Sequence, residues 1–300
     1  MKALVTGAEG FVGRHLVVHL GECGDDVVGI DHECDVTDEA SMREVLQRTR
    51  PDAIYHLAAL SHVGSSWLQQ VEFTRVNVLG TRNVLERARE HVPDAVVVVV
   101  SSANVYGVVR PDDLPLVESF RLAPSDPYAS SKVGAELVAL DAVSNGGSRV
   151  VIARPFNHIG PGQSDMFVVP AIVNRLLESL EDGSDEIVVG DLTTRRDFCD
   201  VRDVVRAYRL LVEHGVSGEA YNIASGRDVS LQDIADQLVA TIAPHVRLVR
   251  DEELLRPAEI PVLRGSYEKL RAQTGWAPRI PLRQSLSDVV ADMRLRRSAR

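Results

Sequence analysis

The stretch KALVTGAEGFVGRHL, residues 2–16, decides the fold because a glycine-rich turn joins an apolar β-branched run to a helix-periodic run. Gly7, Gly10 and Gly13 lie in this turn. Glycine permits tight backbone angles there and lets main-chain N–H groups approach a phosphate at the positive end of a helix. The spacing is GxxGxxG rather than the commoner GxGxxG. We predict a dinucleotide-binding turn that includes Phe11 and Val12; a plain glycine-rich turn is the alternative.

The same alternation of strand and helix continues through the first half of the chain. Strands are predicted at 2–6, 26–30, 52–57, 95–101 and 149–154, and helices at 11–23, 38–49, 70–91 and 128–144. Such uniformly apolar strands are typical of a parallel sheet that is covered on both faces. We therefore predict an α/β fold, a Rossmann-type doubly wound parallel sheet with its ligand crevice at the carboxyl ends of the strands.

The rhythm changes after residue 155. NHIGPGQSD, residues 157–165, is predicted as a loop. Five helices and three strands follow at wider spacing: helix 168–181, strand 186–189, helix 200–213, strand 220–224, helix 230–243, strand 246–250 and two closing helices. We predict an NAD-binding domain of residues 1–155, joined by about 196–224. Residues 156–195 and 225–300 are predicted to form a smaller, mostly C-terminal α/β lobe for a substrate.

Composition limits the classes of partner. The chain has 300 residues and a net charge of −10, which argues against a general nucleic-acid or membrane-surface binder. It has no apolar stretch of roughly 20 residues that could span a bilayer. Its three cysteines show no CxxC spacing, so neither a structural metal site nor a disulfide framework is expected. We expect a cytoplasmic protein without a metal.

The end of the second predicted strand indicates which cofactor binds. Asp31 follows the glycines by about twenty residues, where a carboxylate accepts hydrogen bonds from the adenosine ribose and repels a 2′-phosphate. NAD(H) is therefore favoured, with NADP(H) as the alternative. Asp35 and Val36 are predicted to contact the adenine ring, whereas Thr37 or Asp38 is expected to cap the next helix.

The segment HLAALSHVGSSW, residues 56–67, follows the third strand. Leu57 and the small residues Ala58 and Ala59 are predicted to let the cofactor lie flat across the strand ends. Ser61 and His62 are then expected to face the substrate. For His62 a structural hydrogen bond and a catalytic role are both open.

The segment PYASSK, residues 127–132, carries Tyr128 and Lys132 four residues apart, which places both on one face of a helix. An ammonium group close to a phenol favours the phenolate, and so we expect the pKa of Tyr128 to fall from about 10 toward the working pH. Such a tyrosine can donate a proton to a carbonyl oxygen while a hydride reaches the carbon. Ser102, at the end of the fourth strand, is the third candidate catalytic residue. A surface pair of side chains is the alternative.

Together these motifs make the chain resemble the extended short-chain dehydrogenases/reductases that modify nucleotide sugars. The resemblance covers nearly the whole chain and includes FNHIGPGQS (156–164) and RDFCDVRDVVRAY (196–208). Within the family, the sequence is most similar to the reductases of GDP-4-keto-6-deoxymannose, and next to the GDP-mannose 4,6-dehydratases. The resemblance also implies a homodimer.

The resemblance assigns further roles. It implies catalysis by Ser102, Tyr128 and Lys132, and a nicotinamide end packed by Pro155 and His158. It implies that a nucleotide sugar is bound by Asn104, Asn157, Val168, Arg196, Arg256 and Glu259, with the two arginines on the diphosphate and Glu259 on the ribose. Arg195 is expected to form a surface ion pair. Dehydratases of this group carry a basic residue shortly after position 168, where this chain has Val169, Pro170 and Ala171, and Arg175 is the candidate substitute.

The residues after Ser102 limit the reaction. Dehydratases of the family need an acid and a carboxylate there, but this chain has Ala103 and Asn104, which do not titrate near neutral pH. The resemblance therefore implies an NAD(P)H-dependent reduction of a nucleotide-linked 4-keto-6-deoxyhexose, GDP-4-keto-6-deoxymannose to GDP-rhamnose. The alternatives are a nucleotide-sugar 4-epimerase, an enzyme similar to GDP-mannose 4,6-dehydratase, and a non-catalytic NAD-binding sensor.

Overall fold

Strands and helices alternate through the amino-terminal half of the chain. The computed structural model describes residues 1–251 and 260–298. The five predicted strands agree with the observed ones to within one residue at each end. The elements up to Pro155 are β1 (Lys2–Thr6), α1 (Phe11–Glu22), β2 (Asp26–Ile30), α2 (Glu39–Thr49), β3 (Ala53–His56), α3 (Val63–Ser66), α4 (Gln70–Thr74), a π-helical segment (Arg75–Gly80), α5 (Thr81–His91), β4 (Val96–Val100), two 3₁₀ turns (Ala103–Tyr106 and Pro111–Asp113), α6 (Pro127–Gly146) and β5 (Arg149–Pro155).

Shorter elements make up the rest of the chain. They are β6 (Asn157–Ile159), α7 (Val168–Asp182), β7 (Glu186–Val189), β8 (Arg195–Asp200), α8 (Val201–His214), β9 (Ala220–Ile223), β10 (Asp228–Ser230), α9 (Leu231–Ile242), β11 (Arg247–Arg250), β12 (Val262–Leu263), α10 (Glu268–Thr274) and α11 (Leu282–Ser298). The prediction of a continuous loop at 157–165 is wrong at its start, because β6 pairs there with β8. Of the helices in the described residues, none combines the length and the apolar character needed to cross a membrane.

The central sheet has six parallel strands in the order β2-β1-β3-β4-β5-β9. Side chains of α1 and α8 cover one face, and those of α2, α5 and α6 cover the other. The strand order reverses at β1, which pairs with β2 on one side and β3 on the other. A crevice at the carboxyl ends of the strands is expected at such a reversal. The predicted doubly wound α/β fold is confirmed.

A second group of elements lies beyond β5. In it β8 pairs with β6, β10 and β12, and β7 pairs with β11. Buried side chains of α7, α9 and α11 form a separate apolar cluster that includes Leu176, Leu238 and Val289. The predicted domain boundaries stay predictions, although β9 belongs to the large sheet and the elements on either side of it to the second group.

The predicted helix at 70–91 is interrupted. Between α4 and α5 the chain widens into the π-helical segment, which contains the buried Asn77. Its Oδ1 accepts a hydrogen bond from the N–H of Leu60 at 2.8 Å, and its Nδ2 donates to Leu60 O and to Ser131 Oγ. Short π-helical segments inside α-helices often occur at functional sites. Here the wider turn directs one amide toward both the loop after β3 and the helix α6.

The turn between β1 and α1 requires glycine at two positions. Gly7 has a φ of +72°, in the left-handed region, and a Cβ on Gly13 would overlap the carbonyl oxygen of Gly7 and lie 2.8 Å from Cα of Ala8. Gly21, in the same helix, has open space where a Cβ would be. The close packing of α1 on the turn thus depends on Gly13 and not on Gly21.

We expect Gly13→Ala to lower the urea midpoint of unfolding and to weaken NADH binding, because the turn must move to admit the methyl group. Gly21→Ala is the matched control. It should leave NADH binding unchanged and stabilise the fold by roughly 0.5–1 kcal/mol, the usual gain for alanine over glycine inside a helix. Urea titrations and calorimetric NADH titrations of both variants test this. Equal behaviour of the two variants would contradict the close packing at Gly13.

Candidate active site

A cavity of about 1430 Å³ lies at the carboxyl ends of the parallel strands and is closed on its other side by α7 and β8. Every site residue predicted from the sequence lines this cavity, as far as the described part of the chain extends, and so does Arg175. Arg256 and Glu259 lie outside the described residues. The structure therefore brings the predicted residues together, while the roles assigned to them stay predictions.

The glycine-rich turn forms one end of the cavity. The N–H of Gly10 donates to Gly7 O at 3.2 Å, and Gly10 precedes α1 without a side-chain cap. The first turn of α1 has no acidic residue. Main-chain N–H groups at a helix amino terminus attract an anion, and no carboxylate of this first turn competes with it. The turn therefore fits a dinucleotide diphosphate.

Asp31 lies beside this turn at the end of β2. Its Oδ2 accepts a hydrogen bond from the N–H of Glu9 at 2.8 Å, and its Oδ1 lies 3.3 Å from Nε2 of the exposed His32. The carboxylate has further lone pairs that can accept hydrogen bonds from ribose hydroxyl groups. Nearby, Asp35 accepts hydrogen bonds from Thr37, and Asp38 caps α2 by accepting from the N–H of Ser41, as one of the two capping alternatives predicts.

A buried histidine forms the floor between β1 and β3, and its role was not predicted from the sequence. His56 Nδ1 hydrogen-bonds Thr6 Oγ1 at 2.9 Å, and its Nε2 hydrogen-bonds Thr81 Oγ1 at 3.0 Å. Thr6 Oγ1 also accepts from the N–H of Ala58. Burial, together with a smaller contribution from the charge of Lys132, lowers the pKa of His56 to about 3. A neutral imidazole thus fixes the start of the loop that carries Ala58 and Ala59.

Ser102 and Tyr128 form a hydrogen-bonded pair at the centre of the cavity. Ser102 caps the 3₁₀ turn after β4, and its Oγ accepts from the N–H of Asn104 at 3.2 Å. Tyr128 is in the first turn of α6, which Asp126 caps by accepting from the N–H of Ala129 at 2.7 Å. Burial raises the pKa of Tyr128 to about 12, although the hydrogen bond with Ser102 opposes that rise. The phenol therefore keeps its proton at neutral pH.

Lys132 lies one helical turn further along α6. Its ammonium group donates to Val100 O at 2.8 Å. Burial lowers the pKa of Lys132 to about 8, and the nearby charge of Glu136 opposes that fall. The expectation that Lys132 lowers the pKa of Tyr128 is wrong for this structure. The ammonium group is directed to a main-chain carbonyl, and burial dominates the titration of the phenol.

Two histidines line the cavity in fixed orientations. His62 caps α3, and its Nδ1 accepts from the N–H of Ser65 at 3.1 Å, so that its proton is on Nε2. His158 donates from Nδ1 to Phe156 O at 2.9 Å and stacks on Phe11 with an interplanar angle of 8°. Burial lowers the pKa of His158, so its ring is neutral and Nε2 is an acceptor. The structural role of His62 is observed, and a catalytic one stays a prediction.

Of three arginines on α7 and β8, Arg175 and Arg196 line the cavity and Arg195 does not. Arg195 forms an ion pair with Asp228 at 2.5 Å, as expected for a surface pair, and does not line the cavity. Arg196, its neighbour on β8, lines the cavity and donates from Nη1 to Arg195 O. Arg175 donates from Nη1 to Val188 O at 2.7 Å, which leaves the rest of its guanidinium group at the same wall.

Comparisons with known proteins agree with this geometry. Residues 3–224 match the model of the NAD dependent epimerase/dehydratase family. The chain is 35% identical to GDP-6-deoxy-D-mannose reductase of Pseudomonas aeruginosa over 97% of its own length and 96% of that protein. It is 32% identical to GDP-6-deoxy-D-talose 4-dehydrogenase of Aggregatibacter actinomycetemcomitans, with 90% of each chain covered. The structure of RMD from Pseudomonas aeruginosa complexed with NADPH is similar, with a TM-score of 0.91 and 34% identity over 98% of this chain and 99% of that one.

The chain therefore belongs to the NAD dependent epimerase/dehydratase family. The predicted resemblance to nucleotide-sugar oxidoreductases of the extended short-chain type is confirmed, and so is the prediction of an NAD(P) cofactor. The preference for NAD(H) over NADP(H) that Asp31 suggests stays a prediction, because a relative of similar fold is complexed with NADPH.

We expect Tyr128→Phe to lower turnover of a 4-keto nucleotide sugar by about 10²- to 10⁴-fold, because only the proton donor is lost. NADH affinity should be nearly unchanged. Tyr55→Phe is the matched control: Tyr55 is also a buried tyrosine but does not line the cavity, and its hydroxyl has no hydrogen-bond partner among the described residues. Steady-state rates and calorimetric NADH titrations of both variants test this. A Tyr128→Phe rate close to that of the wild type would exclude Tyr128 as the acid.

Proposed function

We propose that the protein reduces a nucleotide-linked 4-keto-6-deoxyhexose with NAD(P)H, with GDP-4-keto-6-deoxymannose as substrate and GDP-rhamnose as product. The observation that carries the proposal is the row Ser102, Ala103, Asn104 beside Tyr128 and Lys132. It contains what a carbonyl reduction needs and lacks the acid and base of a dehydration. The similarity to a GDP-6-deoxy-D-mannose reductase supports the choice of substrate.

Each of the three side chains Ser102, Tyr128 and Lys132 has a separate role in the proposed reduction. NAD(P)H, when bound in the glycine turn, supplies the hydride that forms the new C–H bond at sugar C4. Tyr128 donates its proton to the C4 oxygen as the carbonyl double bond breaks, and the pKa of about 12 keeps that proton available at neutral pH. Ser102, hydrogen-bonded to Tyr128, orients the carbonyl oxygen. Lys132 contributes a positive charge next to the developing negative charge.

Ala103 and Asn104 argue against dehydration. Ala103 is buried and apolar. Asn104 lines the cavity, and its side-chain amide does not titrate usefully. Loss of the C6 hydroxyl requires an acid at the leaving oxygen and a base at C5. Asp126, the N-cap of α6, also lines the cavity, and its carboxylate accepts from the N–H of Ala129. The row after Ser102 therefore supports hydride transfer at C4 alone.

We assign the substrate diphosphate to the part of the cavity that Arg175 and Arg196 line. Arg175 and Arg196 line the cavity, and guanidinium groups match phosphate oxygens in shape and charge. Arg195 and Arg196 are adjacent in a strand, so their side chains point to opposite faces, and only Arg196 reaches the cavity. Asn157 and Val168 line the same cavity.

Assays of the wild-type enzyme with different sugar nucleotides distinguish the candidate reactions. With GDP-4-keto-6-deoxymannose we expect oxidation of NADH or NADPH, followed by absorbance, and GDP-rhamnose as the product by NMR and mass spectrometry. With GDP-mannose and NAD⁺ we expect no 4-keto-6-deoxy product. Interconversion of C4 epimers without net consumption of cofactor would identify an epimerase instead. Cofactor binding without turnover of any of these sugars would identify a sensor.

We also propose a homodimer in a cytoplasmic setting, and an exposed apolar face supports the dimer. Leu68, just before α4, is 90% exposed, and Val71, on α4, is 83% exposed. Leu137 on α6 is 61% exposed. Exposed apolar patches of this kind mark interaction surfaces.

For the dimer, sedimentation equilibrium should give about twice the chain mass of 32.8 kDa. Leu137→Glu should shift the protein toward monomer, because a charge would be buried in the interface. Leu295→Glu, at a leucine on α11 that is 72% exposed, is the matched control and should leave the mass unchanged. A wild-type mass of one chain would contradict the proposal.

A further inference from the structure

A buried ion pair lies behind the catalytic row, which consists of Ser102, Ala103 and Asn104 with Tyr128 and Lys132. Glu136 is on α6 and Arg154 on β5, and they are 1% and 6% exposed. Arg154 Nη2 donates to Glu136 Oε2 at 2.6 Å, and Arg154 Nε donates to Glu136 Oε1 at 2.9 Å. The pair is thus bidentate, the geometry in which guanidinium and carboxylate groups bind most firmly. Neither residue lines the cavity.

The pair is joined to four other parts of the fold. Ser101 Oγ donates to Glu136 Oε1 at 2.5 Å. Arg154 Nη1 donates to Tyr106 OH and to Glu118 O, both at 3.0 Å. Tyr106 OH in turn donates at 2.7 Å to Oδ1 of Asn222 on β9. One network therefore connects α6, the end of β4, the 3₁₀ turn after it, β5 and β9.

The network continues the row of contacts that positions the catalytic residues. Tyr128, Lys132 and Glu136 are spaced four apart and share one face of α6. Each contacts the end of β4 or the residues after it: Tyr128 contacts Ser102, Lys132 contacts Val100 O, and Glu136 contacts Ser101 Oγ. The third contact is therefore made by the residue that directly precedes Ser102.

Stability alone does not account for this arrangement. Burying two charges carries a desolvation cost that their attraction offsets only partly, and well-packed apolar residues often stabilise a fold as well or better. A buried polar network does fix one arrangement of its members, because any shift leaves a charge without a partner. The element fixed here is the contact between α6 and the end of β4, on which the catalytic row depends.

We propose that Glu136 and Arg154 are positioning residues, which hold α6 in register with the end of β4 and keep a negative charge behind the ammonium group of Lys132. The inference rests on the proposed reductase function, and it concerns two residues that touch neither substrate nor cofactor. Glu136 acts through Ser101 and Lys132, and Arg154 acts through Glu136.

The charges around Lys132 agree with this assignment. Lys132 is faced by Tyr128 and Glu136 from its own helix, by His56 from β3 and by the carbonyl of Val100 from β4. Tyr128 has a pKa of about 12 and His56 a pKa of about 3, so both are neutral near pH 8. Burial lowers the pKa of Lys132, and the charge of Glu136 opposes that fall. Loss of the Glu136 charge should therefore lower the pKa of Lys132.

Glu136→Gln tests the proposal, because it removes the charge and keeps the shape. We expect kcat for the 4-keto sugar to fall by about 10- to 100-fold, the usual effect of a small misplacement of reacting groups. Lys132 can be titrated without substrate in protein labelled with ¹³C at lysine Cε, because the chain has only three lysines, Lys2, Lys132 and Lys269. Lys2→Arg and Lys269→Arg assign the three signals. The Lys132 midpoint should fall by about 0.5–1 pH unit.

Asp203→Asn is the matched control. Asp203 is a buried carboxylate paired with Arg206 at 2.7 Å, and it lies outside the cavity. Both variants should lose stability to urea, but Asp203→Asn should keep the wild-type kcat per folded molecule and the wild-type Lys132 midpoint. If either quantity in Glu136→Gln equals that of the control, the proposal is wrong.

Two further outcomes are distinguished. If Glu136→Gln does not fold, Ser101→Ala decides the matter, because it removes only the contact between Glu136 and the end of β4. We expect its kcat to fall about three- to tenfold, and an unchanged kcat overturns the proposal. If the wild type does not reduce the 4-keto sugar, the proposed function fails. The Lys132 midpoint then still supports or overturns this inference.

Discussion

The hydrogen bond from Lys132 to Val100 O is the interaction on which the proposed catalytic geometry depends. A buried ammonium group needs a partner, and a main-chain carbonyl at the end of β4 is one that the sheet itself holds in place. This bond joins α6, which carries Tyr128, to the end of β4, which Ser102 follows. The parallel sheet is thus more than a support for the cofactor turn, because the end of one of its strands also anchors the helix that carries Tyr128, the proposed proton donor.

Much of the fold could be predicted from the sequence, because its strongest signals are local. The valine run 96–100 is apolar on both faces of the sheet, and the observed β4 is buried along nearly its whole length. Gly7, Gly10 and Gly13 are followed by a helix as their spacing predicts. The predicted site residues converge because parallel strands bring their carboxyl ends to one edge. The motifs and the strand topology together therefore predict where the site lies without knowledge of any side-chain contact.

What could not be predicted depends on contacts between residues distant in sequence. β8 is the polar run RRDFCD, which has no strand pattern of its own, and it forms because β6, β10 and β12 supply its hydrogen bonds. Asn77 lies in a stretch with an ordinary helical pattern, and only the position of Leu60 makes its amide useful. The pairing of Glu136 with Arg154 joins residues 18 apart. The protonation of Tyr128 was predicted wrongly for the same reason, because burial is a property of the whole fold.

The protonation states of Tyr128 and Lys132 favour the reduction of a carbonyl group over the oxidation of an alcohol. A phenol with a pKa of about 12 is an acid that holds its proton at neutral pH, whereas oxidation of an alcohol needs the phenolate as a base. Lys132, with a pKa of about 8, is charged at neutral pH. Protonated Tyr128 beside charged Lys132 is the state that a carbonyl reduction consumes. An epimerase must begin from the opposite state, with Tyr128 deprotonated, and burial of the phenol makes that state costly here. The protonation state of Tyr128 therefore agrees with the proposed reduction, in which the phenol begins as the acid.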